Sequence, residues 1–158
     1  MSEGMAGWMG RIAEVDLADS NVRFLQHDED TMHRFIGGRG LGAKIVYDSV
    51  KPGTDPLEPA NVLVFAVGPL TGTAAPTSGR YVVSTKSPLT GTMFDANGGG
   101  FYGPKFKGCG IDALVVKNAA KSPVIIQMDN KGIQVLDGEK YWGKGVFDTT
   151  RQLTERFG

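Results

Sequence analysis

Cysteine is nearly missing from this sequence of 158 residues, with Cys109 the one copy. A single thiol excludes an internal disulfide and any metal or cluster site built from this chain's cysteines alone. Lying between Gly108 and Gly110 without a cationic or histidine neighbour, Cys109 reads as structural. Histidine is almost as scarce: His27 and His33 lack the spacing and company of a metal pair, and His33 reads as a surface residue of a helix. An excess of charge of either sign is also absent. Lysine plus arginine number 17 and aspartate plus glutamate number 17, so no global field draws the chain to nucleic acid or to an anionic membrane. No apolar run approaches the ~20 residues of a membrane span; the longest, Val62 to Val67, is strand-sized. Met1 to Gly10 has no apolar run behind a cationic flank, so nothing there resembles a signal peptide. These absences point to a cytoplasmic protein.

Glycine, by contrast, is abundant. Its 23 copies are roughly twice the usual share. Without a collagen period, they mark places where the backbone turns sharply or touches something closely. The balance of 41% hydrophobic and 22% charged residues is that of a globular domain.

Alternation from Arg11 to Leu17 predicts a strand; Ala18 to Asn21 turns, and Val22 to Leu25 returns as a second strand. Asp28 to Thr31 offers helix-start residues before Met32, Phe35 and Ile36, and Gly37-Gly38 stops that helix. A second helix is predicted from about Leu41 to Val50. Strands follow at Val62–Val67, Arg80–Thr85 and Ala113–Val116, while Gly68 to Gly79 and Ser87 to Gly100 read as loop and turn. Phe101 to Lys107 suits a short helix that Pro104 breaks unless the helix starts there. A hairpin from Val124 to Leu136 and a helix from about Val146 to Arg156 complete the chain. Strand, turn, strand, helix thus occurs twice, predicting an α+β fold of mixed sheets and a few helices built from two similar halves. Trp8 and Trp142 read as core or edge packing.

Three glycine-rich stretches carry the functional signal. They are Gly37 to Gly42, Gly68 to Tyr81, and Ser87 to Gly100 with its Asn97-Gly98-Gly99-Gly100 end. Such loops let main-chain N–H groups approach an anion. Thr71, Thr73, Thr77, Ser78 and the fixed cation Arg80 add donors suited to phosphate or a polar ring. Gly38-Arg39-Gly40-Leu41-Gly42 follows a helix rather than a strand, so it is no dinucleotide fingerprint, and no Walker A pattern is present. The bland alternatives are tight turns for the glycines, surface carboxylate partners for Arg39 and Arg80, and a left-handed turn for Asn97. No catalytic acid–base pair stands out.

In order, the chain carries Gly37-Gly38-Arg39-Gly40-Leu41, Gly68-Pro69-Leu70-Thr71-Gly72-Thr73, Ala75-Pro76-Thr77, Gly79-Arg80-Tyr81, Thr85-Lys86-Ser87-Pro88-Leu89-Thr90-Gly91, Ala96-Asn97-Gly98-Gly99 and Gly108-Cys109-Gly110-Ile111-Asp112-Ala113. In these motifs, and in the opening Gly7-Trp8-Met9-Gly10-Arg11, it resembles the N-terminal domain of the aldehyde ferredoxin oxidoreductases over residues 1–158. The resemblance implies a tungsten or molybdenum atom held by two molybdopterins, with this domain as the base beneath them. It implies that Arg80 contacts a cofactor phosphate and that Asn97 and Gly99 touch the cofactor. The Asn97 carbonyl would also serve a magnesium ion bridging the pterin phosphates.

The parent would oxidise an aldehyde to a carboxylic acid and pass electrons through a 4Fe-4S cluster to ferredoxin. The cysteines for that cluster belong to later domains of the family and are not in this chain. This polypeptide alone is therefore expected neither to bind a cluster nor to turn over aldehyde. Alternatives are a paralogue acting on another acid or acyl substrate, and a stand-alone pterin-binding or assembly module. A face normally covered by the later domains would leave apolar area open to a second copy.

Overall fold

A computed structural model describes residues 6–158. Its elements are β1 (Arg11–Asp16), β2 (Asn21–Gln26), α1 (Glu29–Phe35), α2 (Gly38–Ser49), β3 (Val62–Ala66), β4 (Tyr81–Lys86) and β5 (Met93–Gly98). There follow α3 (Tyr102–Gly108), β6 (Ala113–Lys117), β7 (Val124–Asp129), β8 (Gly132–Asp137), a single 3-10 turn at Glu139–Tyr141, and α4 (Val146–Phe157). The fold is α+β, as the sequence predicts. Six strands form one mixed sheet in the order β2-β1-β6-β3-β4-β5, parallel only where β1 meets β6. β7 and β8 form a separate antiparallel ribbon.

Alternation decides which face each strand gives to which layer. Val62, Val64, Ala66, Ala113 and Val115 turn to one face, where Leu41 and Val46 of α2 cover them. Ala13, Val15 and Leu114 turn to the other, beneath Phe106 of α3, Ile111, and the ribbon residues Ile126, Met128, Ile133 and Val135. The sheet is thus sandwiched between α2 on one side and α3 with the ribbon on the other.

Hairpin followed by helix does occur at both ends of the chain. The first hairpin, however, belongs to the six-stranded sheet while the second stands apart, so the two copies are not halves of one architecture. Two further expectations change. Ser87 to Gly100, read as turn, contains β5: Met93-Phe94-Asp95-Ala96-Asn97-Gly98 has poor intrinsic strand preference, but pairing along the whole of β4 imposes it. α2 begins at Gly38 instead of Leu41, so most of the first glycine stretch is helix. There Gly42 serves packing, because a Cβ would stand 2.3 Å from Ser84 Oγ in β4. Pro104 sits in the first turn of α3, where its missing N–H would have no intrahelical partner.

The start of α1 has a visible cause. Asp28 caps α1 by accepting the Thr31 N–H at 2.7 Å. α4 buries none of its residues: Val146 and Phe147 are 79% and 92% exposed, and Trp142 is 77% exposed. Among the described residues no helix is long and apolar enough to cross a membrane.

Candidate functional site

Arg80, Asn97 and Gly99 come together at one corner of the sheet. Arg80 immediately precedes β4, Asn97 is the penultimate residue of β5, and Gly99 directly follows it. The register sets Val82 against Asn97 and Tyr81 against Gly98, which leaves Arg80 and Gly99 one step beyond the ladder. Opposed residues share a face, as do alternate residues of a strand. Arg80, Val82 and Asn97 therefore rise on the side that α2 covers. Arg80 donates from Nη1 to Asn97 Oδ1. A guanidinium has five N–H donors, so this bond leaves others available on an exposed side chain.

The backbone of Asn97 is just as accessible. The Ser87 N–H donates to the Thr92 carbonyl at 2.9 Å at the foot of the same hairpin. Antiparallel ladders alternate between bonded and non-bonded pairs, so the main-chain groups of Asn97 turn away from β4. β5 is the last strand of the sheet. The Asn97 carbonyl consequently points off the open edge. At Gly99 an added Cβ would meet nothing within 4 Å. The corner thus combines a guanidinium, an amide, an outward carbonyl and bare backbone.

Close packing beneath this corner explains Gly79 of the second stretch and Gly103 of α3. A Cβ on Gly79 would come within 2.6 Å of the Gly100 carbonyl oxygen. One on Gly103 would come within 2.6 Å of the Gly79 oxygen and 3.1 Å of the Arg80 oxygen. Thr71, buried, accepts the Gly68 N–H at 3.2 Å and donates to the Arg80 carbonyl at 3.3 Å. Arg39 follows the bland alternative, pairing with Asp95 at 2.9 Å, whereas Arg80 takes an amide rather than a carboxylate.

A buried polar knot lies behind the same loop. Lys107 is 5% exposed and Asp112 fully buried, with Nζ and Oδ1 3.8 Å apart. Lys107 Nζ donates to the Gly68 and Pro69 carbonyls at 2.6 and 3.2 Å, and to that of Gly7. Asp112 accepts the N–H groups of Met9 and Gly10 at 2.9 and 2.8 Å. Burial pulls the Lys107 ammonium below the usual lysine range, and the Asp112 carboxylate pushes it back up. Sequence reasoning missed Lys107; lysine is almost never fully buried, so nothing in the pattern announces it.

Elsewhere the expectations for single residues mostly hold. The Cys109 thiol is half-buried, donates to the Lys105 carbonyl at 3.4 Å, and is pushed up by burial. His33 is exposed and faces Glu29 at 3.4 Å. Trp8 packs at the edge, with its ring against His33. Trp142, read as core or edge packing, lies outside the core and is largely exposed. His27 is different: its Nε2 is buried without a partner among the described residues, and burial pulls its pKa below the usual histidine value. The unfolded state therefore binds a proton more readily than the native one. The neutral ring's contribution is fully present above about pH 6.5, the unfolded value, and falls away as pH drops through the lower native value. His27→Gln is expected to flatten the loss of thermal midpoint between about pH 7 and 5; an unchanged acid slope would show that His27 does not drive it.

Among the described residues no group of three or more His, Cys, Asp and Glu side chains is placed to hold a metal ion. A hard cation at this corner would draw on the carbonyl and amide oxygens of Asn97 and on its own ligands.

Residues 12–158 match the family model of the aldehyde ferredoxin oxidoreductase N-terminal domain. The tungsten-containing aldehyde ferredoxin oxidoreductase of Pyrococcus horikoshii is 42% identical over 154 residues, 98% of this chain and 25% of that protein. The aliphatic sulfonate oxidoreductase, WOR-like subunit, of Pyrococcus furiosus is 32% identical over 152 residues, 94% of this chain and 24% of the relative. The solved active site complex BamBC of benzoyl coenzyme A reductase, in complex with 1,5-dienoyl-CoA, superposes with a TM-score of 0.92 at 32% identity. It covers 96% of this chain and 23% of the solved one. The chain belongs to the aldehyde ferredoxin oxidoreductase family and corresponds to its N-terminal domain. It spans about a quarter of the length of the curated relatives it matches.

Proposed function

We propose that this chain is the base of a tungsten (or molybdenum) bis-molybdopterin site. The enzyme it serves would oxidise aldehydes to carboxylic acids in the cytoplasm, with ferredoxin as electron acceptor. The observation that carries the reading is the convergence of Arg80, Asn97 and Gly99 on one exposed corner. Arg80 neutralises a pterin phosphate through the N–H donors that Asn97 does not use. The outward Asn97 carbonyl is a hard oxygen that would suit a magnesium ion accompanying the cofactor phosphates. Gly99 lets a flat ring or an ion reach the backbone, since no side chain intervenes. When bound, the metal–pterin group supplies the redox chemistry; this chain supplies position and charge. The 4Fe-4S cluster, the substrate pocket and the ferredoxin surface fall to further domains of the same polypeptide.

The reading is tested in the cofactor-loaded protein by metal and pterin content per chain. Arg80→Ala is expected to lower both about tenfold, the loss of a charge-assisted phosphate contact of about 1.5 kcal/mol. Gly99→Ala should leave the unfolding free energy of the cofactor-free protein unchanged within about 0.5 kcal/mol and still reduce occupancy. Full metal and pterin content in Arg80→Ala would remove the basis of the proposal.

A second reading keeps the site and changes the substrate. The sulfonate oxidoreductase subunit and the benzoyl coenzyme A reductase complex, each 32% identical, carry the same domain in proteins named for other chemistry. A paralogue acting on another acid or acyl substrate would show the same Arg80 dependence of cofactor content without aldehyde oxidation.

A further inference from the structure

The corner occupied by Arg80 is only as precise as the backbone that presents it. That backbone is neither helix nor strand: Arg80 lies at the end of the long loop between β3 and β4. Two contacts fix it from below. Thr71 Oγ1 links the Gly68 N–H to the Arg80 carbonyl, and Gly103 of α3 lies against the Gly79 and Arg80 oxygens. Both lead to one side chain. Lys107 extends from the last turn of α3, and its ammonium holds the carbonyls of Gly68 and Pro69, the start of that same loop.

The ammonium also holds the Gly7 carbonyl, while Asp112 takes the N–H groups of Met9 and Gly10. Lysine has three N–H donors, and three main-chain carbonyls receive them. Burying an ammonium and a carboxylate is an expensive way to fill this space, and a buried ion pair is weak evidence of a gain in stability. What the pair secures is geometry. It ties together the segment before β1, the loop after β3, and α3, and both supports of Arg80 pass through it.

We infer that Lys107 is a positioning residue that sets the backbone from which Arg80 reaches its ligand. The inference rests on the reading of Arg80 as a phosphate-binding residue. Lys107 touches no ligand itself. Asp112 supplies the counter-charge to the ammonium at 3.8 Å and anchors the opening segment. The Gly7-Trp8-Met9-Gly10 and Gly108-to-Asp112 motifs, which the cofactor corner leaves unexplained, meet in this knot.

The test uses the protein in its complete natural reading frame, loaded during expression at limiting tungstate. Three variants are compared: Lys107→Met, Arg80→Ala and the double variant. Metal and pterin content give occupancy, and hydrogen exchange gives the local backbone. Lys107→Met is expected to speed exchange across 68–80 while β1 and β6 keep their protection. Occupancy should fall about tenfold, the lower end of what the supports of a site are worth, and adding Arg80→Ala should lower it no further.

A Lys107→Met protein with full occupancy, or a double variant whose losses multiply, overturns the positioning role while leaving Arg80 as a ligand. If Arg80→Ala itself retains full occupancy, the phosphate reading fails instead. Should Lys107→Met not fold, Thr71→Val cuts the same connection one step later and spares the buried pair. It is expected to show the same non-additivity with Arg80→Ala, and additive losses there reject the inference.

Discussion

Asp112→Ala is expected to lower stability by about 3–5 kcal/mol, the usual penalty for removing one partner of a buried ion pair. The carboxylate is fully buried and accepts two main-chain N–H groups while standing 3.8 Å from the Lys107 ammonium. Without it a buried cation loses its counter-charge, and the backbone at Met9 and Gly10 loses its acceptors. Asp112→Asn should cost less, because an amide oxygen still accepts one of those bonds. Denaturant unfolding of the two variants checks this as a shift in midpoint at constant slope. A loss below about 1 kcal/mol for Asp112→Ala would mean that the three carbonyls alone hold Lys107.

Phe106→Ala should be comparably severe, at about 3–5 kcal/mol for a large aromatic truncated in a packed core. Phe106 is 2% exposed and packs with Ala13, Val15, Ile111 and Leu114, with the Tyr102 ring 5.9 Å away. It seats α3 on the sheet, and α3 carries both Gly103 and Lys107. The effect should therefore reach the cofactor corner. At matched loss of stability, Phe106→Ala should reduce metal and pterin content more than Ile133→Ala, whose side chain joins the same core from the ribbon. Equal reductions would show that occupancy merely follows global stability.

Much of this was legible in the residues. β1, β3, β4 and β6 announce themselves by alternation or by short apolar runs, and both hairpins by their turns. The helix starting at Glu29 was marked by its Asp28 cap. β5 was hidden because Asp95, Asn97 and Gly98 are poor strand formers, and its order comes from β4 beside it. That concealment extended to the site. Arg80 was visible as a fixed cation at the end of a glycine loop, but its contact with Asn97 depends on a register no local pattern encodes. The outward carbonyl of Asn97 depends further on β5 being the last strand. Lys107 and Asp112 lie five positions apart, and sequence spacing gives no hint that both are buried.

The strand order also has a consequence for how the molecule assembles. β6 sits between β1 and β3, yet of the six strands it is the last along the chain. Because synthesis proceeds from the N-terminus, a nascent chain holds a β1–β2 hairpin and a β3–β4–β5 meander with no strand to pair between them until Ala113–Lys117 emerges. Both pieces wait with an unpaired edge, the kind of surface on which neighbouring chains zip together. Ribosome-bound chains that stop short of Ala113 should be the ones that chaperones retain, and release should coincide with the emergence of that central strand.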